Sequence, residues 1–370
     1  MKTIIAITIL ILSTFSFLQS EEAKTYKVDI DSKGMKTFYN KNDPADPDFK
    51  IELNRICVIS RDYLDSLEVG KFMIYDFDFD KDGNIIILDL DRMWKFSRNG
   101  RFIKKWSRAG EGPGEFRQPN SFYILNDTIY VQNFPKIIKF DSTGRFINNI
   151  LITNYSDFPR KVFAVGRSYL LGVTGSGFDP DSFKKTDRIK MFDTKNLRMI
   201  KSLFVREKKK KGTMFSRDDY FLYTGGEKEF FVVDNSYDDY KIDCFDSKTG
   251  KMKYKIRKNH IRVKNDEKIK THHGVYNGEK IVITTGDEKL KESINWVYYD
   301  KYGRLWVDSN NIDKKEKEES GLYFDIFKDG VFLKRIKLDL GIIKPWGFKL
   351  NGNKIVVFDE DNNVNIYEFK

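Results

Sequence analysis

The chain has 370 residues, of which 15% are aromatic and 33% charged, and its formal net charge is +11. This length permits a substantial hydrophobic core, in one large or two smaller domains. The 66 basic residues are mixed with 55 acidic ones, a balance typical of a solvated surface, and we expect no nucleic-acid partner. Two distant cysteines, Cys57 and Cys244, leave one disulfide open but form no framework and no Cys-x-x-Cys metal site.

The first 20 residues have the pattern of a secretory signal peptide. One lysine, Lys2, is followed by a mostly apolar run over residues 4–18 and a small residue, Ser20, before a polar segment. The alternative is an uncleaved anchor, but the run is shorter than the roughly 20 residues of a membrane span. We therefore expect an exported protein, periplasmic or extracellular, whose mature chain does not span a membrane.

A lead-in segment at residues 21–50 precedes the first repeating unit, which spans residues 74–106. In that unit the pairs Asp82-Gly83 and Asn99-Gly100 separate short runs of β-branched and aromatic residues. Asp-Gly and Asn-Gly pairs between such runs are strong hairpin signals. The segment therefore predicts four consecutive antiparallel strands.

The same unit recurs along the chain. The turn and strand around Gly144 repeat those around Gly100, 44 residues earlier, and weaker copies begin at Ile189, Tyr240 and Leu322. A last copy ends the chain. Six copies of a four-stranded unit at a period of about 40–55 residues predict an all-β fold, a six-bladed β-propeller over residues 51–370.

The last copy stops after its third strand. The segment around residues 56–60, which precedes the first complete blade, is the expected source of the fourth strand. Closing the ring in this way removes free sheet edges that would invite aggregation. We therefore predict a propeller whose ring is closed by an N-terminal strand.

A glycine-rich segment, "RAGEGPGEF" at residues 108–116, follows the first unit. A phosphate-binding loop is one interpretation, but such a loop joins a strand to a helix, whereas these glycines lie between two predicted strands and Pro113 lacks a backbone donor. The segment resembles the linker of NHL-repeat propellers, and more closely that of bacterial exported six-bladed β-propeller proteins. "TFYNKNDP" at residues 37–44 resembles the lead-in of the same family. The resemblance implies the fold, but no function.

A calcium-loop alternative exists at residues 78–84. Asp78, Asp80 and Asp82 alternate before Gly83, and Asp89 stands at the twelfth position counted from Asp78. A calcium loop normally has a bidentate Glu at its twelfth position. A hairpin turn explains every residue without a metal, so we expect no cofactor and leave calcium as the alternative.

The repeat is interrupted at about residues 257–295, where we expect an irregular insertion. It contains all three histidines, His260, His272 and His273. Metal ligation or base catalysis is the functional alternative to a solvated polar loop. On a strand, the adjacent His272 and His273 would face opposite sides, which weakens a joint role.

The remaining candidates favour structural roles. The charge runs at residues 207–211 and 315–320 are expected to be solvated loops at the propeller rims. We expect tryptophans to pack in the core or between blades rather than to form a sugar-stacking platform. These are Trp94, Trp106, Trp296, Trp306 and Trp346.

The sequence assigns no catalytic, cofactor-binding or metal-binding residue, and it has no Gly-x-Ser-x-Gly elbow. It therefore favours a monomeric, exported binding scaffold for a protein or a cell-envelope polysaccharide. The alternative is a hydrolase or lactonase that holds a divalent metal in the central channel through ligands scattered over several blades. RNA binding, as in some intracellular NHL proteins, has the basic charge in its favour and the signal peptide against it.

Overall fold

The computed structural model describes residues 25–67, 74–152, 159–166, 168–174, 178–179, 184–209, 222–233, 236, 238–264, 270–276, 279–285, 291–310, 321–342 and 345–370. The predicted signal peptide at residues 1–20 lies outside these ranges. Within them, no helix has the length and apolar character needed to cross a membrane.

The N-terminal region contributes three strands and one short helix before the first blade. They are β1 (Tyr26–Ile30), β2 (Lys36–Asn40), β3 (Leu53–Ile59) and α1 (Arg61–Ser66). Ser60 caps α1 by accepting a hydrogen bond from the backbone N–H of Tyr63 at 3.2 Å, a common way to satisfy a free donor at a helix start.

The first three blades follow in chain order. Blade 1 consists of β4 (Asp76–Phe79), β5 (Ile85–Leu88), β6 (Met93–Phe96) and β7 (Phe102–Trp106). Blade 2 consists of β8 (Ser121–Leu125), β9 (Thr128–Asn133), β10 (Lys136–Phe140) and β11 (Phe146–Leu151). Blade 3 consists of β12 (Pro159–Val165), β13 (Tyr169–Thr174), β15 (Lys184–Asp193) and β16 (Met199–Lys209), with the short β14 (Phe178–Asp179) paired to β15.

Three further blades complete the ring. Blade 4 consists of β17 (Leu222–Gly225), β18 (Glu229–Val233), β19 (Tyr240–Asp246) and β20 (Met252–Lys258). A separate hairpin consists of β21 (Lys270–Tyr276) and β22 (Glu279–Thr285). Blade 5 consists of β23 (Ile294–Tyr299), β24 (Arg304–Ser309), β25 (Tyr323–Lys328) and β26 (Val331–Lys337), and blade 6 of β27 (Trp346–Asn351), β28 (Lys354–Phe358), β29 (Val364–Phe369) and β3.

The prediction of a six-bladed propeller closed by an N-terminal strand is confirmed. Strand β3 pairs antiparallel with β29, from Val364 opposite Ile59 to Phe369 opposite Leu53. Ile59 is fully buried in one apolar cluster with residues of blades 1 and 6, such as Trp94. Similar clusters fill the other spaces between blades, because both faces of a blade sheet are covered by its neighbours.

Aspartate side chains hold several of the hairpin turns. One carboxylate oxygen accepts hydrogen bonds from the backbone N–H groups two and four residues further on, as at Asp141, with distances of 2.9 Å to Thr143 and 3.0 Å to Arg145. The aspartates with this pattern in the blades are Asp80, Asp141, Asp300 and Asp359. A side chain that mimics a backbone acceptor favours a turn at that point, so the recurrent Asp-x-x-Gly sequences are explained without a ligand.

The lead-in segment forms a belt across the outer edges of three blades. Strand β2 pairs in parallel with β20, the outermost antiparallel strand of blade 4. The buried Asn40 side chain accepts a hydrogen bond from Phe332 N at 2.8 Å and donates one to Gly330 O at 3.1 Å, both on blade 5. The chain then continues past β26, where Ala45 N donates to Phe332 O, and becomes β3 of blade 6.

Two details differ from the sequence analysis. The insertion is not wholly irregular, since β21 and β22 form a hairpin within it. The sequence has an Asn-Gly pair between these two strands. Such a pair favours a hairpin turn, so this hairpin could have been predicted. The charge run at residues 207–211 is not wholly a loop either, because residues 207–209 belong to the end of β16. The run at residues 315–320 lies outside the described residues.

A glycine substitution tests the packing of the turn between β10 and β11. Gly144 has φ +76°, and a methyl group on it would lie 2.7 Å from the Trp106 ring, whereas Gly352, at φ +63°, has nothing within 4 Å. Both alanine variants pay about 1–2 kcal/mol for the left-handed backbone. We expect Gly144→Ala to lose about 1–3 kcal/mol more through overpacking, measured by urea unfolding. Equal losses in the two variants would contradict this account.

Candidate binding site in the central channel

Six innermost strands surround the axis of the propeller. They are β4, β8, β12, β17, β23 and β27, and neighbouring members such as β4 and β8, or β17 and β23, are in contact. The faces of each blade are covered by adjacent blades and its outermost strand points away from the axis. A solvent-exposed side chain on an innermost strand therefore faces the central channel or its mouth.

An aspartate links the innermost strands of three blades. One oxygen of the buried Asp76 carboxylate, on β4, contacts the ammonium group of Lys349 on β27. The other accepts a hydrogen bond from the backbone N–H of Phe122, on β8, at 3.2 Å. Burial lowers the pKa of Lys349, because desolvation disfavours the charged amine. Blades 6, 1 and 2 are thus joined beside the channel.

A second carboxyl group lies two residues further along β4. Asp78 shares a side of the strand with Asp76, and its side chain accepts a hydrogen bond from the amide of Asn351 on β27. Burial raises the pKa of Asp78 to about 7, with smaller opposing effects from the backbone N–H of Phe79 and the charge of Lys354. The channel wall therefore holds a carboxyl group that changes its charge near neutral pH.

The wall formed by blades 3 and 4 carries an amine beside an aromatic ring. Lys161 on β12 is solvent-exposed, and its ammonium group lies 5.8 Å from the ring centroid of Tyr223 on β17. Phe163 supports the same ring with a centroid distance of 5.0 Å. Desolvation lowers the pKa of Lys161, because burial disfavours the charged form of an amine.

One tryptophan, Trp296, is not buried as the sequence predicted. Trp94, Trp106 and Trp306 are buried, as the sequence analysis predicted, but Trp296 on the innermost strand β23 is 47% exposed. The bulge between Ile294 and Trp296 interrupts the β23–β24 register at this point. An indole that is half exposed beside the channel is available to a ligand. The side chain of Trp346 lies outside the description.

The calcium-like carboxylates are separated in the structure. Asp80 holds the turn between β4 and β5 and pairs with Lys95 at 2.8 Å and Asn84 at 3.0 Å. Asp89 follows β5, at the opposite end of the same hairpin, because Leu88 pairs with Asp76. Among the described residues, no three histidine, cysteine, aspartate or glutamate side chains lie close enough to hold a metal ion.

The histidines and cysteines are not on the six innermost strands. His272 and His273 are on β21, opposite Ile283 and Val282, and their side chains are outside the described part. His260 is half-buried, and within that part neither of its ring nitrogens has a hydrogen-bond partner. Cys57 and Cys244 are both free thiols, and burial raises the pKa of Cys57 to about 11 and that of Cys244 further. Buried thiols with raised pKa values are poor nucleophiles.

The channel residues were not identified from the sequence, although a weak signal was present. The stretches "DFDF" in β4 and "FKLN" in β27 place polar residues at every second position of strands that precede strongly apolar ones. The polar residues of β4 and β27 meet only because blade 6 packs against blade 1. The sequence predicted that the ring closes there, but not which side chains come into contact.

Asp78 predicts a pH-dependent contribution to stability. Its folded pKa of about 7 lies above the ordinary value of 3.8, so the folded state binds more protons between these pH values and is progressively destabilised as pH rises through them. We expect Asp78→Asn to raise Tm at pH 8 relative to the unmodified protein and to have little effect at pH 4. Asp82→Asn, on an exposed carboxylate of the same hairpin, should shift Tm equally at both pH values. A pH-independent effect of Asp78→Asn would refute the assignment.

Taken together, the closed ring and its blade order define a six-bladed β-propeller with a polar and aromatic channel. The family model described as DUF5128, a 6-bladed beta-propeller, matches residues 76–338. The chain belongs to this family. No curated protein matches the sequence.

Solved structures share the architecture at low sequence identity. A Bacteroides fragilis protein for which export is predicted matches with a TM-score of 0.52 and 12% identity, over 90% of this chain and 98% of that one. BamB from Moraxella catarrhalis matches with a TM-score of 0.38 and 12% identity, over 81% of this chain and 86% of that one. Virginiamycin B lyase from Staphylococcus aureus matches with a TM-score of 0.39 and 10% identity, over 86% and 99%. These similarities concern the fold alone.

Proposed function

We propose that the protein is a binding scaffold that holds a protein or polysaccharide ligand at its central channel. The observation that carries this proposal is the exposure of Trp296 and Lys161 on innermost strands of blades 5 and 3. The strand between them, β17 of blade 4, adds the ring of Tyr223. The innermost strands of three consecutive blades thus carry an indole, an amine and a phenol ring.

These groups have the chemistry of a recognition surface. Aromatic rings provide large apolar contact area with a polar edge, and sugars and peptides both pack against them. An ammonium group adds attraction for carboxylate or sulfate substituents of a ligand. Each blade would supply one or two contacts to the ligand. Binding of this kind requires no arrangement of catalytic residues.

The setting of this function is also part of the proposal. The signal-peptide pattern at residues 1–20 supports export to the periplasm or the cell exterior, and the Gly-rich linker at residues 108–116 supports a bacterial, NHL-like lineage. We propose a monomer with a protein or cell-envelope polysaccharide as partner and without a resident metal.

The proposal is tested with Trp296→Ala and Lys161→Ala. Neutral and uronic-acid-containing envelope polysaccharide fragments, and an envelope protein extract, are presented to the immobilised protein. We expect at least one to bind, and we expect each variant to weaken that binding by about tenfold or more, the effect of losing a central contact. Val58→Ala, an exposed apolar residue on the outer strand β3, should bind like the unmodified protein. If neither channel variant changed the binding, the ligand would not bind at the channel, and the proposal would be refuted.

A further inference from the structure

The outermost strands of blades 1 and 2 are close copies of each other in sequence. Residues 101–106 read Arg-Phe-Ile-Lys-Lys-Trp, and residues 145–150 read Arg-Phe-Ile-Asn-Asn-Ile. Both segments follow a glycine with positive φ and pair with the third strand of their blade through an equivalent bulge. The main chemical difference is that two lysines in blade 1 are replaced by two asparagines in blade 2.

In blade 1 the lysines lie on β7, whose outer side pairs with no strand in the described part of the chain, and Lys104 also donates a hydrogen bond to Thr143 O of blade 2. Lys104 lies 5.6 Å from the ring centroid of Trp106, and Lys105 lies 5.5 Å from that of Trp94. Lysine on an edge strand opposes the approach of another strand, because pairing would desolvate its charge. Strand β7 is therefore protected against strand addition.

In blade 2 the equivalent edge has no such protection. Residues 146–156 contain no charged residue, in a chain of which 33% is charged. On β11, Ile147 is 45% exposed and Leu151 is 68% exposed, and the intervening Asn148 and Asn149 are exposed as well. Strand β11 pairs with β10 on one side, and no strand of the described ranges pairs with its other side.

The molecule itself shows how an outer edge of this kind is occupied. On blade 4, strand β2 adds to β20 in parallel, from Lys36 opposite Tyr254 to Asn40 opposite Lys258. The rest of the N-terminal belt covers blade 5 and completes blade 6. An extended segment that adds through its backbone thus occupies one outermost strand in this molecule, and among the described residues the belt does not reach blade 2.

We propose that the β11 edge of blade 2 is a docking site for an extended, uncharged segment of a partner protein, which adds to the blade as a fifth strand. Backbone hydrogen bonds to β11 would supply much of the affinity, and exposed Ile147 and Leu151 would contact apolar side chains of the incoming strand. An uncharged occupant fits because β11 offers no charge to compensate one. This site is independent of the channel, and neither proposal depends on the other.

The test uses the mature protein and a labelled synthetic peptide, acetyl-Thr-Val-Asn-Val-Asn-Val-Thr-amide, followed by fluorescence anisotropy. We expect N148K/N149K, which gives blade 2 the lysines of blade 1, to weaken binding by about tenfold or more. N148T/N149T keeps the edge uncharged and should bind as the unmodified protein does. A peptide with N-methyl groups on alternate residues should not bind, because it lacks the donors that strand addition requires. Hydrogen exchange should show slower exchange in residues 146–151 with the peptide present.

Several outcomes would overturn the proposal. Equal binding by the unmodified protein and N148K/N149K would place the peptide elsewhere, and no binding by the unmodified protein would deny a docking edge. Retained binding of the N-methylated peptide would indicate apolar adhesion instead of strand addition. A dimer in sedimentation velocity that dissociates in N148K/N149K would mean that a second copy of the chain occupies the edge. Because blade 1 carries the same two lysines, N148K/N149K is expected to fold with an unchanged Tm, which is checked first.

Discussion

A chain that begins at Arg61 is expected to lose cooperative folding. This truncation removes β3, so β29 loses its antiparallel partner from Val364 to Phe369, and the buried Ile59 leaves the cluster between blades 1 and 6. Each large apolar side chain removed from a core costs about 1.5–3 kcal/mol. Several such losses, together with a six-residue ladder, approach the whole stability of a typical domain, about 5–15 kcal/mol.

The measurement is thermal unfolding followed by circular dichroism, with a second truncation as control. A chain that begins at Lys41 loses β1, β2 and the buried Asn40 but keeps β3. It should unfold in a single transition, because the ring is still closed, and at a lower temperature than a chain that begins at Glu21, because the contacts of β1, β2 and Asn40 are lost. If the chain beginning at Arg61 unfolded cooperatively at the temperature of the control, ring closure by β3 would not be what stabilises the propeller.

A second large effect is expected from the buried carboxylate between blades 4 and 5. Asp325 is fully buried and accepts hydrogen bonds from Tyr240 Oη at 3.1 Å, Ser309 Oγ at 3.0 Å and Arg335 Nη1 at 3.0 Å. The ammonium group of Lys258, itself buried, lies 3.6 Å from the same carboxylate. Asp325→Ala leaves the buried Lys258 and the partly buried Arg335 without this carboxylate, and removing one partner of a buried ion pair costs about 3–5 kcal/mol.

Urea unfolding gives the size of this effect. Asp325→Asn retains the shape and some hydrogen bonds, so we expect a smaller loss than in Asp325→Ala, although the cations still lack their counter-charge. Asp29→Ala removes an exposed partner of Lys27 and should leave the midpoint unchanged, because exposed ion pairs contribute little. A loss in Asp325→Ala no larger than in the Asp29 control would show that the cations find other compensation.

The fold could be predicted from the sequence because its signals are local. The turns at Gly83, Gly100 and Gly144 have positive φ, and Asp-Gly or Asn-Gly pairs and the Asp-x-x-Gly pattern mark such turns directly. A repeat of these turns at a nearly constant spacing defines a propeller without any knowledge of long-range contacts. The closing strand could also be predicted, because the last copy of the repeat has only three strands and needs a fourth from elsewhere in the chain.

The belt and the channel contacts could not be predicted from the sequence, because they are long-range contacts with no local signal. Parallel addition of β2 to β20 joins residues more than 200 positions apart, and no turn links them. The contact of Asp76 with Lys349 likewise exists only because the two ends of the chain meet. Trp296 was expected to pack in the core or between blades, whereas it is exposed beside the bulge in β23. By contrast, the exchange of two lysines for Asn148 and Asn149 was visible in the repeat from the beginning.

Ring closure also has a consequence for the order of folding. Ile59 leaves the ribosome about 300 residues before Val364, with which it pairs. Blades 1 to 5 are made largely from consecutive hairpins, so each can assemble soon after its synthesis. Blade 6 must wait for the last residues of the chain, and until then the early strand and the unclosed ring expose unpaired edges that are prone to aggregation. The slow step of folding is therefore expected to be the meeting of the two chain ends.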